Sequence, residues 1–407
     1  MTDRKSLEVL IIGYGRGNLT FIDRLITGLL EKGVRLTVAT PRKSDLHRIL
    51  SLKPKWLWTP RLHSHLWADV IITLLLLGAN PRLRKPIWFW KLPNRAEGWR
   101  SKFKAFYRYL PFTHKNWDVI YFPWNSAAID HIGLFDSGMP VVVSCRGSQV
   151  NIRPHQRGMG VFTAGLTVSL EKADAVHCVS QDILEEALHY GMTRTRAVVI
   201  HPAVDPDFFI PADLKMPGQE VRLVTTGSLI WRKGYEYMLM ALSDLRCMGI
   251  DAKLHIIGEG NERNRILYTA QDLDLADKVI LHGILSPEHV RQQLQQADIF
   301  VFTSLSEGLP NAVLEAMSCG LPVVTTDCGG VREAVTDGVE GIIVPTREPR
   351  LTAEALQKLA QDPELRRKMG SAGRKRVLKE FRLEDHVDAF ITLFASTAAE
   401  KLERKGG

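Results

Sequence analysis

Short apolar runs alternate with helical patterns from one end of this 407-residue chain to the other. In the first half the runs are Leu7–Gly13, Val34–Ala39, Trp117–Phe122, Val141–Cys145, Ala175–Val179 and Ala197–Ile200. In the second half they are Arg222–Thr226, Lys253–Ile257, Val279–His282, Ile299–Thr303, Pro322–Thr326 and Gly341–Val344. Runs this rich in β-branched residues suit parallel strands buried on both faces, with the intervening helices as right-handed crossovers. The pattern restarts after His201–Pro211 and Pro217-Gly218, where prolines and glycine break regular structure. Two doubly wound α/β domains joined near residue 210 are therefore expected, with ligand at the carboxyl ends of the strands, between the domains.

Composition narrows the class. Hydrophobic residues make up 45% and charged residues 24%, with a mean hydropathy of −0.07, which excludes disorder. Five cysteines without a CxxC pair argue against a disulfide framework or a zinc site and for a reducing compartment. The N-terminus lacks the pattern of a signal peptide. The longest apolar stretch, Leu66–Ala79, carries Asp69 and falls short of the roughly 20 residues that span a bilayer.

Three segments carry candidate chemistry. The loop Gly13-Tyr-Gly-Arg-Gly-Asn18 follows the first strand and precedes a helix expected near Leu19. Its GxGxG spacing matches a dinucleotide fingerprint only loosely. Asp23 and Arg24 on that helix read as a solvated face. Thr226–Tyr235 places adjacent cations, Arg232 and Lys233, before Gly234 and a new helix. Cations at a helix start oppose the macrodipole and suit a diphosphate clamp. Ser306–Pro322 places Glu307 in a loop after a strand and Glu315 on the following helix, with N–H groups around Asn311 and Ala312 available to phosphate or a sugar hydroxyl.

Glu307-x7-Glu315, with Gly-Leu-Pro-Asn inside it and Cys-Gly-Leu-Pro-Val-Val after it, resembles the retaining GT-B enzymes of glycosyltransferase family 4. The resemblance extends through Thr225–Gly234, Ile256–Gly260, Leu281–Ile284 and Asp327–Glu333, and covers nearly all of residues 170–395. It implies an α/β protein of GT-B fold, two Rossmann-like domains whose parallel sheets face a central cleft. The expected division is residues 1–205 for acceptor, 206–385 for nucleotide-sugar donor, and 386–407 as a helix and tail packing back on the first domain. It further implies that Glu315 binds ribose hydroxyls, Glu307 binds the transferred sugar, and Lys233 neutralises the diphosphate. Backbone at Asn311, Ala312 and Val313 would touch sugar and phosphate, with Ile284 reading the base and Gly227 and Ser228 in the diphosphate loop. Gly15 and Gly17 would bring the first domain's loop close to the phosphates. No metal or other cofactor is implied, in keeping with the lack of a dicarboxylate suited to holding one at the diphosphate.

Two departures stand out. The family's arginine after the diphosphate-loop glycine is Ser228 here, and Arg232 is the candidate that supplies the charge instead. Where many members have a first-domain histidine, this chain has Arg146, with His155 as a second candidate sugar or acceptor contact.

The net charge of +8 is polarised: +13 over residues 1–200 and −5 over residues 201–407. Arg82–Lys115 contains ten Lys and Arg against Glu97 alone, interleaved with Trp88, Trp90, Trp99, Phe103, Phe106 and Tyr107. With Trp56, Trp58 and Trp67 upstream, this Trp-rich segment 54–115 reads as the face that meets an anionic membrane. A packed domain core with a basic rim is the plainer alternative, and no recognition motif supports nucleic acid. The expected protein is a retaining hexosyltransferase, cytoplasmic and peripheral on the inner membrane face. It would move sugar from a nucleotide-diphosphate donor to a saccharide or lipid-linked acceptor in cell-surface polysaccharide synthesis. A non-hydrolysing UDP-sugar epimerase and a noncatalytic membrane-surface scaffold are the alternatives.

Overall fold

The computed structural model describes residues 6–14, 20–59, 106–112, 117–212 and 220–406. Two units divide the chain: Met1–Cys178 with Leu184–Ile200 and Val387–Gly407, and Val179–Ile183 with His201–His386. Among the described residues, no helix is long and apolar enough to cross a membrane.

Among the described residues, the first unit is built on seven parallel strands. They are β1 (Glu8–Ile12), β2 (Arg35–Thr40), β3 (Lys55–Trp58), β4 (Val119–Phe122), β5 (Val141–Cys145), β6 (Ala175–Cys178) and β7 (Ala197–Val199). They lie in the order β3-β2-β1-β4-β5-β6-β7. The order reverses between β1 and β4, whose register pairs Leu10 with Ile120. Val9, Leu10 and Ile11 are fully buried, as a strand covered on both faces requires. The helix Thr20–Glu31 covers one face because Ile22, Leu25, Ile26 and Leu29 repeat at helical spacing and are all buried.

The C-terminal helix, Leu383–Gly406, belongs to this unit from Val387 onward. Gly28 lets it approach closely, since a Cβ there would collide with the Val387 side chain. Lys32 with Asp388 at 2.6 Å and Lys401 with Asp174 at 2.7 Å hold two points along it. Between them Phe390 and Phe394 lie against the buried ring of Tyr121.

The second unit repeats the scheme with six parallel strands. They are β8 (Val221–Thr226), β9 (Ala252–Ile257), β10 (Val279–Gly283), β11 (Ile299–Phe302), β12 (Val323–Thr326) and β13 (Gly341–Val344), in the order β10-β9-β8-β11-β12-β13. Here the reversal falls between β8 and β11, where Leu223 pairs with Ile299. One face is filled by Met238, Leu239, Leu242 and Leu245 with Leu356 and Leu359. The other is filled by Phe300, Phe302, Val313, Leu314, Met317 and Phe381. Arg374 donates to the carbonyls of Phe209 and Ser318 at 2.8 and 2.9 Å, tying the entry segment to the end of the helix Asn311–Ser318.

The strands fall within about a residue or two of the expected runs, except β3, which was read as part of a surface aromatic segment. Trp56 and Trp58 lie on this four-residue edge strand. Leu57 is buried between them, Trp56 donates its indole N–H to Thr40 Oγ1 at 3.1 Å, and Trp58 meets the buried Tyr107 edge-on. A short edge strand flanked by lysines has too little apolar length to stand out as a strand. Of the expected membrane segment, residues 60–105 and 113–115 lie outside the described residues.

The aromatic seat of the C-terminal helix yields a stability prediction. Phe390→Ala leaves a cavity against Tyr121, His177 and Phe394, and should destabilise the first unit by about 3–5 kcal/mol. Urea unfolding followed by near-ultraviolet circular dichroism measures it, and a loss under about 1 kcal/mol would show that the helix is not anchored there.

Candidate functional site

Ligands of open α/β sheets bind beyond the carboxyl ends of the strands where the strand order reverses. In the second unit that place is the pair of loops leaving β8 and β11. The first runs from Gly227 through the short turn Trp231–Lys233 to Gly234, which has φ of 62° and opens the helix Tyr235–Cys247. A side chain at 234 would collide with the Thr303 carbonyl, so the glycine allows the two loops to touch. They are then joined bond by bond. Leu305 N–H donates to the Arg232 carbonyl at 2.7 Å, and Thr303 Oγ1 donates to the Gly234 carbonyl at 3.0 Å.

This frame brings Arg232, Lys233 and Glu307 together. Glu307 is 8% exposed, yet it lies 2.6 Å from Lys233 Nζ and 3.5 Å from Arg232 Nη1, and it accepts from Ser304 Oγ at 2.7 Å. Burial alone would raise its pKa. The charges of Lys233 and Arg232 and the hydrogen bonds from Lys233 and Ser304 outweigh that and hold it below the usual 4.5. Lys233 Nζ also sits 4.8 Å from the centre of the Phe302 ring, a cation–π contact. The cluster carries two positive charges and one negative, leaving one positive charge for a ligand.

Immediately downstream, Pro310 opens the helix Asn311–Ser318 without a side-chain cap. Helix starts leave N–H groups that favour an anion. Asn311 Oδ1 is buried there with no hydrogen-bond partner among the described residues. Val313 is buried, whereas Ala312 and Glu315 are half-buried. On the other side Gly330 N–H donates to the Gly308 carbonyl at 2.7 Å, and a Cβ at Gly329 would collide with the Glu307 carbonyl. Ser228 is exposed and Ile284 is 67% exposed, at the ends of β8 and β10. Ser304, which donates to Glu307, is not singled out by the sequence pattern. The only signal was a hydroxyl three residues before Glu307.

In the first unit the corresponding reversal lies at β1 and β4. Gly13 has φ of 105°, and a side chain there would collide with Ala127. Gly15 and Gly17 lie outside the described residues. Asp23 is not a solvated residue as its helix position implied: it accepts from Tyr14 OH at 2.6 Å and pairs with Arg48 at 3.3 Å, so it braces the loop. Arg146, just beyond β5, lies over the Phe21 ring at 4.4 Å and donates to Tyr121 OH at 3.2 Å. His155 is exposed and bonded to Glu186 and Tyr190 at 3.3 Å, which gives it a structural partner set of its own. No group of three or more metal-ligating side chains occurs among the described residues.

Two parallel sheets, with a cation–carboxylate cluster where the second reverses, match a known class. Anabaena HepE, solved in complex with UDP, has the same fold at a TM-score of 0.71 and 16% identity, covering 96% of this chain and 100% of that one. The fold is that of the GT-B glycosyltransferases. The model for glycosyl transferases group 1 matches residues 207–376, and that for glycosyltransferase family 4 matches residues 17–208. The chain belongs to this family of glycosyltransferases.

Among its relatives is a D-inositol 3-phosphate glycosyltransferase of Geodermatophilus obscurus, 32% identical over 52% of this chain and 50% of that protein. Another is the putative colanic acid biosynthesis glycosyltransferase WcaL of Escherichia coli, 29% identical over 42% of this chain and 44% of that protein. The matches thus span about half the length of these curated relatives.

The depressed pKa of Glu307 makes a pH prediction. The carboxylate's contribution is present above its unfolded value near 4.5 and is lost as pH falls through the lower folded value. Stability of the second unit should therefore drop on acidification below about pH 4.5, and Glu307→Gln should flatten that drop. At neutral pH the same change should cost about 3–5 kcal/mol, because two cations lose their buried partner. Denaturant melts at pH 7 and pH 3.5 measure both effects.

Proposed function

We propose that this protein is a retaining glycosyltransferase that moves a sugar from a nucleotide-diphosphate donor to a saccharide or lipid-linked acceptor without a metal. The observation that carries the reading is Glu307, buried under Lys233 and Arg232 at the ligand end of the second sheet. A departing nucleoside diphosphate gathers negative charge, and fixed cations beside a helix start stabilise that charge most in the transition state. Lys233 and Arg232 serve this role, and Arg232 supplies the charge that Ser228 does not. Glu307 orients the cations and binds the transferred sugar without forming a glycosyl ester. The leaving phosphate helps to take the proton from the acceptor hydroxyl as the new bond forms on the same face. Asn311, Ala312 and Val313 meet sugar and phosphate through their backbone, Glu315 binds ribose hydroxyls, and Ile284 reads the base. Arg146 is the acceptor-side or sugar contact of the first unit.

HepE binding UDP, and the colanic acid assignment in the name of WcaL, favour a UDP-type donor and polysaccharide synthesis. We place the enzyme in the cytoplasm, on the inner face of the membrane, through the basic Trp-rich segment 54–115.

A thermal-shift screen with UDP-glucose, UDP-galactose, UDP-N-acetylglucosamine, GDP-mannose and ADP-glucose tests the donor. A bound donor stabilises the native state by mass action, and no shift with any nucleotide sugar would contradict the reading. With the donor so identified, Lys233→Ala should lower kcat by about 10²-fold, the size of one lost transition-state donor. A change in donor KM alone would remove Lys233 from leaving-group stabilisation. Arg232→Ala should lower turnover too, and unchanged turnover would mean that Arg232 does not replace the missing charge. Flotation with anionic vesicles at low salt should carry the protein upward, and failure to float would exclude membrane docking.

A further inference from the structure

The interior of the first unit holds a row of polar side chains that the chemistry above does not use. Tyr121 on β4, Ser144 on β5 and His177 on β6 are each 0% exposed and stand on adjacent strands. Tyr121 OH lies 2.8 Å from Ser144 Oγ, Ser144 Oγ lies 2.7 Å from His177 Nδ1, and His177 Nε2 lies 2.8 Å from the Ile200 carbonyl oxygen. Aromatic rings enclose the row: Phe390 and Phe394 meet Tyr121 at 5.6 and 5.2 Å, and Phe390 meets His177 at 4.7 Å. Three polar groups in such surroundings are costly unless each is hydrogen-bonded, and here each is.

The two ends of the row dictate its direction. A carbonyl only accepts, so His177 Nε2 carries the proton, and in the neutral ring Nδ1 accepts. Ser144 must then donate to His177 and accept from Tyr121. Tyr121 has its proton committed to Ser144 and presents a lone pair outward. A guanidinium only donates, and Arg146 Nη2 meets that lone pair at 3.2 Å. The Ile200 carbonyl, fixed in the backbone, thus determines what Arg146 faces three side chains away. Arg146 Nε is buried with no partner, so Tyr121 OH and the Phe21 ring are what hold the guanidinium's plane among the described residues.

We infer that Tyr121, Ser144 and His177 are positioning residues for Arg146: a one-way hydrogen-bond row, anchored on the Ile200 carbonyl, that fixes the guanidinium so that its remaining N–H groups meet a substrate oxygen at the ligand end of β5. This rests on the acceptor-side or sugar contact proposed for Arg146. A guanidinium already held in place loses less side-chain freedom when substrate arrives, and its geometry selects an oxygen acceptor at one position.

The discriminating variant is Ser144→Ala, which does not touch Arg146 and leaves the Tyr121 hydroxyl in place. In protein labelled with nitrogen-15 arginine, the Arg146 guanidinium signals are those lost in Arg146→Lys. The expected result is separately resolved Nη protons for Arg146 in the wild type, collapsing to one averaged line in Ser144→Ala and in Tyr121→Phe. Ser144→Thr, which keeps the hydroxyl, should restore them. The other arginine signals report whether each variant is folded, and His177→Phe, which removes the anchor without touching the Tyr121 hydroxyl, serves if Ser144→Ala is not. Unchanged Arg146 signals in folded Ser144→Ala would overturn the row, because a purely local Tyr121 contact would survive that change.

Turnover of the nucleotide sugar that gives the largest thermal shift is the second readout. Ser144→Ala and Arg146→Ala should each lower it, the former by up to about tenfold, the size of one neutral hydrogen bond. The double variant should be no worse than Arg146→Ala, since both act through one guanidinium. Wild-type turnover in Arg146→Ala would overturn the substrate contact while leaving the transfer reading intact. If no nucleotide sugar is turned over, it is the transfer reading that fails, and the arginine signals still decide the row.

Discussion

A carboxylate buried beside two cations is the constraint on which the second unit depends. Glu307 can be ionised at 8% exposure only because Lys233 reaches it at 2.6 Å and Ser304 donates to it. Those contacts require the loops after β8 and β11 to lie side by side, which the parallel pairing of Leu223 with Ile299 provides. They also require Gly234, because any side chain there would strike the Thr303 carbonyl. The hydrogen bond from Leu305 N–H to the Arg232 carbonyl then sets where the two cations begin. Removing one of these supports moves the charges, since a long lysine side chain is only as well placed as its backbone.

The electrostatic balance of the cluster suits an anionic ligand. Two cations sharing one carboxylate are held in place without being neutralised, so an anionic ligand arriving there meets positive charge already desolvated. The start of Asn311–Ser318 adds N–H groups without adding mobile side chains. Phe302 under Lys233 limits where the ammonium can go, while the carboxylate limits how far it can turn. This is a preorganised site in which little has to move when charge develops.

Much of this was legible in the residues, for reasons that differ from part to part. Strands buried on both faces, such as Val141–Cys145 and Ile299–Phe302, announce themselves because nothing but apolar side chains fits there. The edge strand Lys55–Trp58 did not, since one inward leucine between exposed neighbours resembles a surface patch. Arg232, Lys233, Glu307 and the Asn311 helix stood out because their spacing around glycine and proline is improbable for surface decoration. Ser304 did not, because a serine three residues from a glutamate is common, and only the fold makes it a donor. Asp23 was misjudged for a related reason. Its helix position faces outward by periodicity, but the Tyr14 hydroxyl just after β1 donates to it.

The two units handle buried polarity in opposite ways, and the difference follows from what each must hold. In the second unit the buried group is charged, so only opposite charges at contact distance can compensate for its desolvation. In the first unit Tyr121, Ser144 and His177 form a row that is satisfied without net charge, and its worth lies in direction. A neutral row can cross three strands of an apolar core because each member both donates and accepts. A charged one would need a counterion at every step. The row therefore carries geometric information through the core to Arg146 at little electrostatic cost. The ion cluster fixes charge within a few ångströms of where it is used. The polarised charge of the chain, +13 in residues 1–200 and −5 in residues 201–407, does not locate either device. Cations that act on a ligand are those whose partners leave them partly unspent, and in the second unit they sit inside the half whose net charge is negative.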